Sequence, residues 1–139
     1  MKLGEIKIQV LELIFPSSEL EYEESNLNEM LFNLRSSPSY GAYLSASVGS
    51  INRALSIIES RSTRRIKRIS HTTPNDYELE LEDKLAQIIP YFVKSDLLLS
   101  ESPEESKVAQ ELFERLLAQA LDESTSHSET IYSQRELLG

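Results

Sequence analysis

The chain has 139 residues, a size suited to one domain that buries about two-thirds of its unfolded surface. Its 14 basic residues stand against 23 acidic ones, and the net charge of −9 argues against a dedicated DNA coat or an anionic-membrane binder. Cysteine is absent, so disulfides and thiolate metal sites are excluded. No apolar run approaches the roughly 20 residues of a membrane span, and Lys2 and Glu5 put charge where a signal peptide needs an apolar block. A non-exported protein is expected.

Leu3, Ile6, Val10, Leu13 and Ile14 recur at helical spacing and predict a first amphipathic helix over about 3–15, stopped by Pro16. The acidic stretch from Glu19 to Glu24 reads as a loop. Asn26 followed by Glu29 is a capping-box variant ahead of a short helix through Leu27, Met30, Leu31 and Leu34. Ser37-Pro38 predicts the start of a third helix, with serine as cap and proline as first helical residue. Its stripe of Tyr40, Tyr43, Leu44, Ser47, Val48, Ile51, Leu55 and Ile58 suits the core face of a bundle. Gly41 and Gly49 weaken that helix by about 1 kcal/mol each and would let a neighbouring helix come close.

The character changes at Arg61. Arg61, Arg64, Arg65, Lys67 and Arg68 put five of the 14 basic residues into eight positions. After the turn chemistry of Thr73-Pro74-Asn75-Asp76, Tyr77, Leu79 and Leu81 alternate with Glu78, Glu80 and Glu82, the period of a strand with one wet face. Residues from about 64 to 81 are therefore expected to form an extended arm or β-hairpin with one basic and one acidic limb. A lone hairpin is marginal in water, so it must lean on the helices or on another chain. The basic run has two readings. It contacts phosphate or an acidic partner surface, or it is a solvated arm or one paired internally with Glu78, Glu80 and Glu82.

Leu85, Ile88, Ile89, Phe92 and Val93 predict a helix from about Asp83 with Pro90 in its interior, hence a kink near 86–90. Ser102-Pro103-Glu104-Glu105 is the reverse case and opens a helix whose broad apolar face runs from Val108 to Leu121. From Asp122 to Glu129 no apolar residue occurs, and such a segment is not expected to fold alone. A small apolar cluster returns at Ile131, Tyr132, Leu137 and Leu138. The expected fold is mainly α: one small helical bundle over 1–121, an arm at about 61–82, and an extended C-terminal tail over 122–139.

Chemistry is thin. His71 and His127 lack a second histidine or cysteine at ligand spacing, and four scattered glycines build no phosphate-cradling loop. The serines lack a nucleophile-elbow context, and Glu104 and Glu105 are explained by capping and the helix dipole. No catalytic residue, cofactor or metal site is expected, and neither is an enzyme.

Two stretches are familiar. Val48–Ser60 (VGSINRALSIIES), and Leu85–Leu97 (LAQIIPYFVKSDL) leading into the Glu104–Leu121 helix, resemble the head–tail connector, or adaptor, proteins of long-tailed bacteriophages of Gram-positive hosts. The resemblance covers residues from about 3 to 121, with a central arm shorter than is usual in the family. It implies a helical bundle that forms a ring, typically of twelve copies, under the portal at the capsid vertex. Such a ring joins the portal protein to stopper or tail-completion components and lets DNA pass through its lumen without specific binding. The location implied is the virion neck, and the host cytoplasm during assembly, with no membrane. Two sets of partner contacts are expected: Arg61, Arg64, Arg65, Lys67 and Arg68 in the arm, and Ile131, Tyr132, Leu137 and Leu138 in the tail. The competing expectation is a small helical nucleic-acid-binding regulator that uses the 61–68 run.

Overall fold

The computed structural model describes residues 1–16, 20 and 26–138, with side chains as far as Asp122. Its elements are α1 (Leu3–Ile14), α2 (Leu27–Arg35), α3 (Gly41–Ser62), α4 (Asp83–Ala86), α5 (Ile89–Leu97) and α6 (Pro103–Leu138). The fold is mainly α. The acidic stretch read as a loop, Glu19–Glu24, lies outside the described residues apart from Leu20.

The nine-residue α5 sits at the centre, against α1, α3 and α6. Ile89 and Val93 meet Leu3, Ile6 and Val10 of α1, Ile51, Leu55 and Ile58 of α3, and Phe113 and Leu117 of α6 in one core. Small residues let α5 and α6 come close: Ser106 and Ala109 are buried, and Ser106 Oγ donates to the Ser95 carbonyl at 2.5 Å. Helix α1 is apolar on two sides. Its Ile8 and Leu11 face a second cluster with Leu27, Leu31 and Leu44. Phe15 closes that cluster edge-on against Tyr40 and Tyr43, at ring separations of 5.0 and 5.4 Å.

Several sequence expectations are corrected. Where a kinked helix is predicted across 83–97, the chain forms two helices with a tight turn at Gln87-Ile88. Pro90 lies in the first turn of α5, where the N–H it lacks would have had no helical partner. Both prolines of that region therefore start helices. Pro90→Ala is expected to leave the far-UV CD spectrum unchanged and to cost about 0.4–1 kcal/mol in urea unfolding, through the freer unfolded chain. A gain of helical signal would mean that Pro90 had been holding α4 and α5 apart.

Ser37-Pro38 precedes α3 by a turn instead of opening it. The Ser37 carbonyl accepts from Gly41 N–H at 2.8 Å, and the helix begins there. A Cβ on Gly41 would lie 2.5 Å from the Arg35 carbonyl oxygen, so the α2–α3 corner requires glycine. Gly49 serves no close approach, since a Cβ there would meet only the Arg53 guanidinium at 3.5 Å. Asn26 makes no side-chain capping bond to α2.

The β-hairpin does not form, and no strand occurs among the described residues. The acidic limb keeps its alternation, with Leu79 buried, Tyr77 and Leu81 half-buried, and Glu78, Glu80 and Glu82 exposed. Its partner is the start of the chain. Leu3 N–H donates to the Tyr77 carbonyl at 2.9 Å, Leu79 N–H to the Met1 carbonyl at 3.0 Å, and Lys2 and Glu78 form one antiparallel bridge. The C-terminal segment is also different from expectation: α6 stays helical through 122–138 in place of an extended tail. No glycine or proline interrupts those positions, and extending a packed helix avoids a new nucleus.

Candidate functional site

The basic run lies along α3, and α3 supplies its backbone partners. Asn52 donates through Nδ2 to the Ile69 carbonyl at 2.8 Å and accepts from Ile69 N–H at 2.9 Å. Glu59 accepts from Ile66 N–H at 2.6 Å. The match is geometric: seven residues of helix and three residues of extended chain both span about 10 Å. Asn52 and Glu59 thus do what a paired strand would do. Ile66 and Ile69 are then buried against the core.

The charged side chains follow. Arg68 reaches Glu59 at 3.1 Å and also donates to the Ile66 carbonyl and Ser56 Oγ. Arg61, at the end of α3, pairs with Glu114 of α6 through both terminal guanidinium nitrogens. Arg64 meets Glu82 at 3.2 Å, as the internal-pairing reading expects. Lys67 stands over the Tyr77 ring, 5.7 Å from its centroid. Arg65 is exposed and makes no hydrogen bond or ion pair among the described residues. The run thus fastens the 63–82 segment to α3 and α6. Thr63 turns the chain out of α3 in the left-handed region, at φ 58°.

The Ile66 N–H, and after it the Arg68 guanidinium, hold the Glu59 carboxyl below the usual glutamate range. A depressed carboxylate contributes stability that is present above its unfolded value, about pH 4.3, and lost as pH falls through the folded value. Glu59→Gln is expected to lower Tm at pH 7 and to flatten the fall of Tm below about pH 4.3. A variant whose Tm follows the parent at every pH would show that this contact contributes nothing.

Of the expected tail contacts, Ile131, Tyr132, Leu137 and Leu138 lie on the helical backbone of α6, and their side chains fall outside the described residues. The last residues seen packed in the core are Ala120 and Leu121. About 26 Å of helix follows Leu121.

A third feature was not visible as a motif. A cavity of about 290 Å³ opens between α1, α2, α3 and the 71–75 turn, and Lys7, Arg35 and His71 converge on it. Leu31, Phe32 and Val48 give it an apolar wall, while Asn75 orients the lysine by accepting from Nζ at 2.9 Å. Burial, and then the neighbouring Arg35, push the Lys7 ammonium below the ordinary lysine range. One sequence signal existed: Lys7 stands between Ile6 and Ile8 on a helix that is apolar on two sides. Arg35 carried no motif, and His71 offered no second histidine or cysteine at ligand spacing.

Among the described residues no group of three His, Cys, Asp or Glu could hold a metal ion, and no helix is long and apolar enough to cross a membrane. No family model, curated protein or solved structure matches the chain.

Proposed function

We propose that the protein is a head–tail connector subunit of a long-tailed bacteriophage. In this reading it forms a ring that joins the portal to stopper or tail components in the virion neck, and DNA passes through the lumen. The observation that carries it is α6, whose backbone stays helical for about 26 Å past Leu121, the last core residue among those whose side chains are described. A helix extended beyond its own domain is suited to contact another chain. The partners' identities rest on the resemblance of the 48–60 and 85–97 stretches to that family. The net charge of −9 fits a channel wall to which DNA does not adhere, since phosphate binding draws on lysine and arginine.

The nucleic-acid-binding regulator is less well supported. It needs the 61–68 guanidinium groups for phosphate, yet Arg61, Arg64 and Arg68 are engaged with Glu114, Glu82 and Glu59. The deciding experiment is a mass measurement of the chain alone and mixed with portal rings of its phage. Many copies bound per portal ring is the expected result. A chain that ignores the portal and retards DNA in a salt-dependent manner would replace the connector by the regulator.

A further inference from the structure

We propose that the cavity between α1, α2, α3 and the 71–75 turn binds a phosphate monoester, with its dianionic head on Lys7, Arg35 and His71 and its apolar body against Phe32. This site is independent of the connector reading.

The first argument is convergence. Three basic side chains from distant parts of a chain of net charge −9 line one cavity, and no described lining residue is acidic. Elsewhere on the surface Arg53 pairs with Asp96, Arg61 with Glu114, Arg64 with Glu82 and Arg68 with Glu59, while the exposed Arg65 is unpaired among the described residues. Lys7 has only the neutral Asn75 amide as its hydrogen-bond partner, and Arg35 makes no hydrogen bond or ion pair among the described residues. A cation half-buried without an acid, next to a second cation, is an arrangement that opposes folding in the empty protein. An incoming anion relieves both the desolvation and the repulsion.

The second argument sets the charge and shape of the ligand. Two fixed positive charges, with the His71 imidazole as a further donor, are matched by a dianion. A monoanion leaves one of them uncompensated. The cavity has more room than an inorganic ion fills, and Leu31, Phe32, Leu44 and Val48 line part of it. Phe32, which is 69% exposed at the rim, offers a ring face to an apolar substituent. Arginine forks and lysine ammonium groups are the side chains that best recognise phosphate oxygens.

The test is a two-dimensional NMR titration of the full chain with phenyl phosphate at fixed ionic strength, with inorganic phosphate and benzoate as parallel arms. Saturable shifts at Lys7, Phe32, Thr73 and Asn75 are expected with phenyl phosphate, and weaker binding at the same amides with inorganic phosphate. Lys7→Gln and Arg35→Gln should each weaken phenyl phosphate by about tenfold or more, while Arg65→Gln should change nothing. Arg35 is exposed, so Arg35→Gln keeps the test valid if Lys7→Gln fails to fold. The proposal is overturned by absence of saturable shifts at millimolar ligand, by benzoate binding as tightly as phenyl phosphate, or by an equal loss in Arg65→Gln.

Discussion

Phe113→Ala is expected to destabilise the protein by about 3–5 kcal/mol, the largest effect of any single truncation in the fold. Phe113 is fully buried, and its ring lies 5.2 Å from that of Phe92, at the contact between α5 and α6. Because Ser95, Ser106 and Ala109 already bring these two helices close together, the backbone has little room to collapse into the vacated space. The cost should therefore fall toward the upper end of that range. With total stability of about 5–15 kcal/mol for a domain of this kind, the variant should unfold at markedly lower urea or fail to accumulate. A loss below about 1 kcal/mol would mean that α5 is not the centre of the core.

Truncation after Leu121 is the second large effect, and it concerns assembly. Among the residues whose side chains are described, the core reaches no further than Ala120 and Leu121, and the shortened chain is expected to keep its fold and nearly its full Tm. If the proposed connector role holds, attachment to the portal is abolished. Burying Ile131, Tyr132, Leu137 and Leu138 on a partner would contribute about 1.5–3 kcal/mol each. Ordering an extended tail of this length would cost about 1–2 kcal/mol per residue and outweigh that gain. A segment already helical has less order to gain, and a ring of linked copies multiplies what remains through effective concentration. Heads that still join to tails with the truncated protein would falsify the role given to this half of α6, and a collapse in Tm would place it in the fold.

Periodicity made α1, α2, most of α3 and the first half of α6 legible, because each carries an apolar stripe that one core absorbs. The Gln87-Ile88 break was hidden because the apolar pattern from Leu85 to Val93 runs through it at near-helical spacing. The alternation of Tyr77, Leu79 and Leu81 was legible, but its partner was not. Nothing local says that a strand will pair with the residues before α1, or that Asn52 and Glu59 will face the 66–69 backbone. On a helix those two residues look like ordinary solvent positions. Composition argued against structure after Leu121, since it weighs apolar content and cannot see that a helix already nucleated can continue. The basic run was visible as charge, though which acids it meets depends on how α3, α6 and the acidic limb come together. The Lys7, Arg35 and His71 cavity is of the same kind: three separate residues that only the tertiary fold unites.

The way Leu3 and Gly4 are held to Tyr77 and Asn75 bears on how the chain folds. The α5–α6 hairpin has a short connection and can form through local contacts. The pairing of the α1 entrance with the 75–79 segment must close a loop around α2 and α3, and long closures come late in folding. Asn75→Ala keeps the backbone pairing but removes the side-chain bond from Lys7 Nζ that braces it, and is therefore expected to leave the refolding rate nearly unchanged and to accelerate unfolding. The connecting segment would then act as the latch of a bundle that has already condensed, and its strength would set how long the native state lasts once formed.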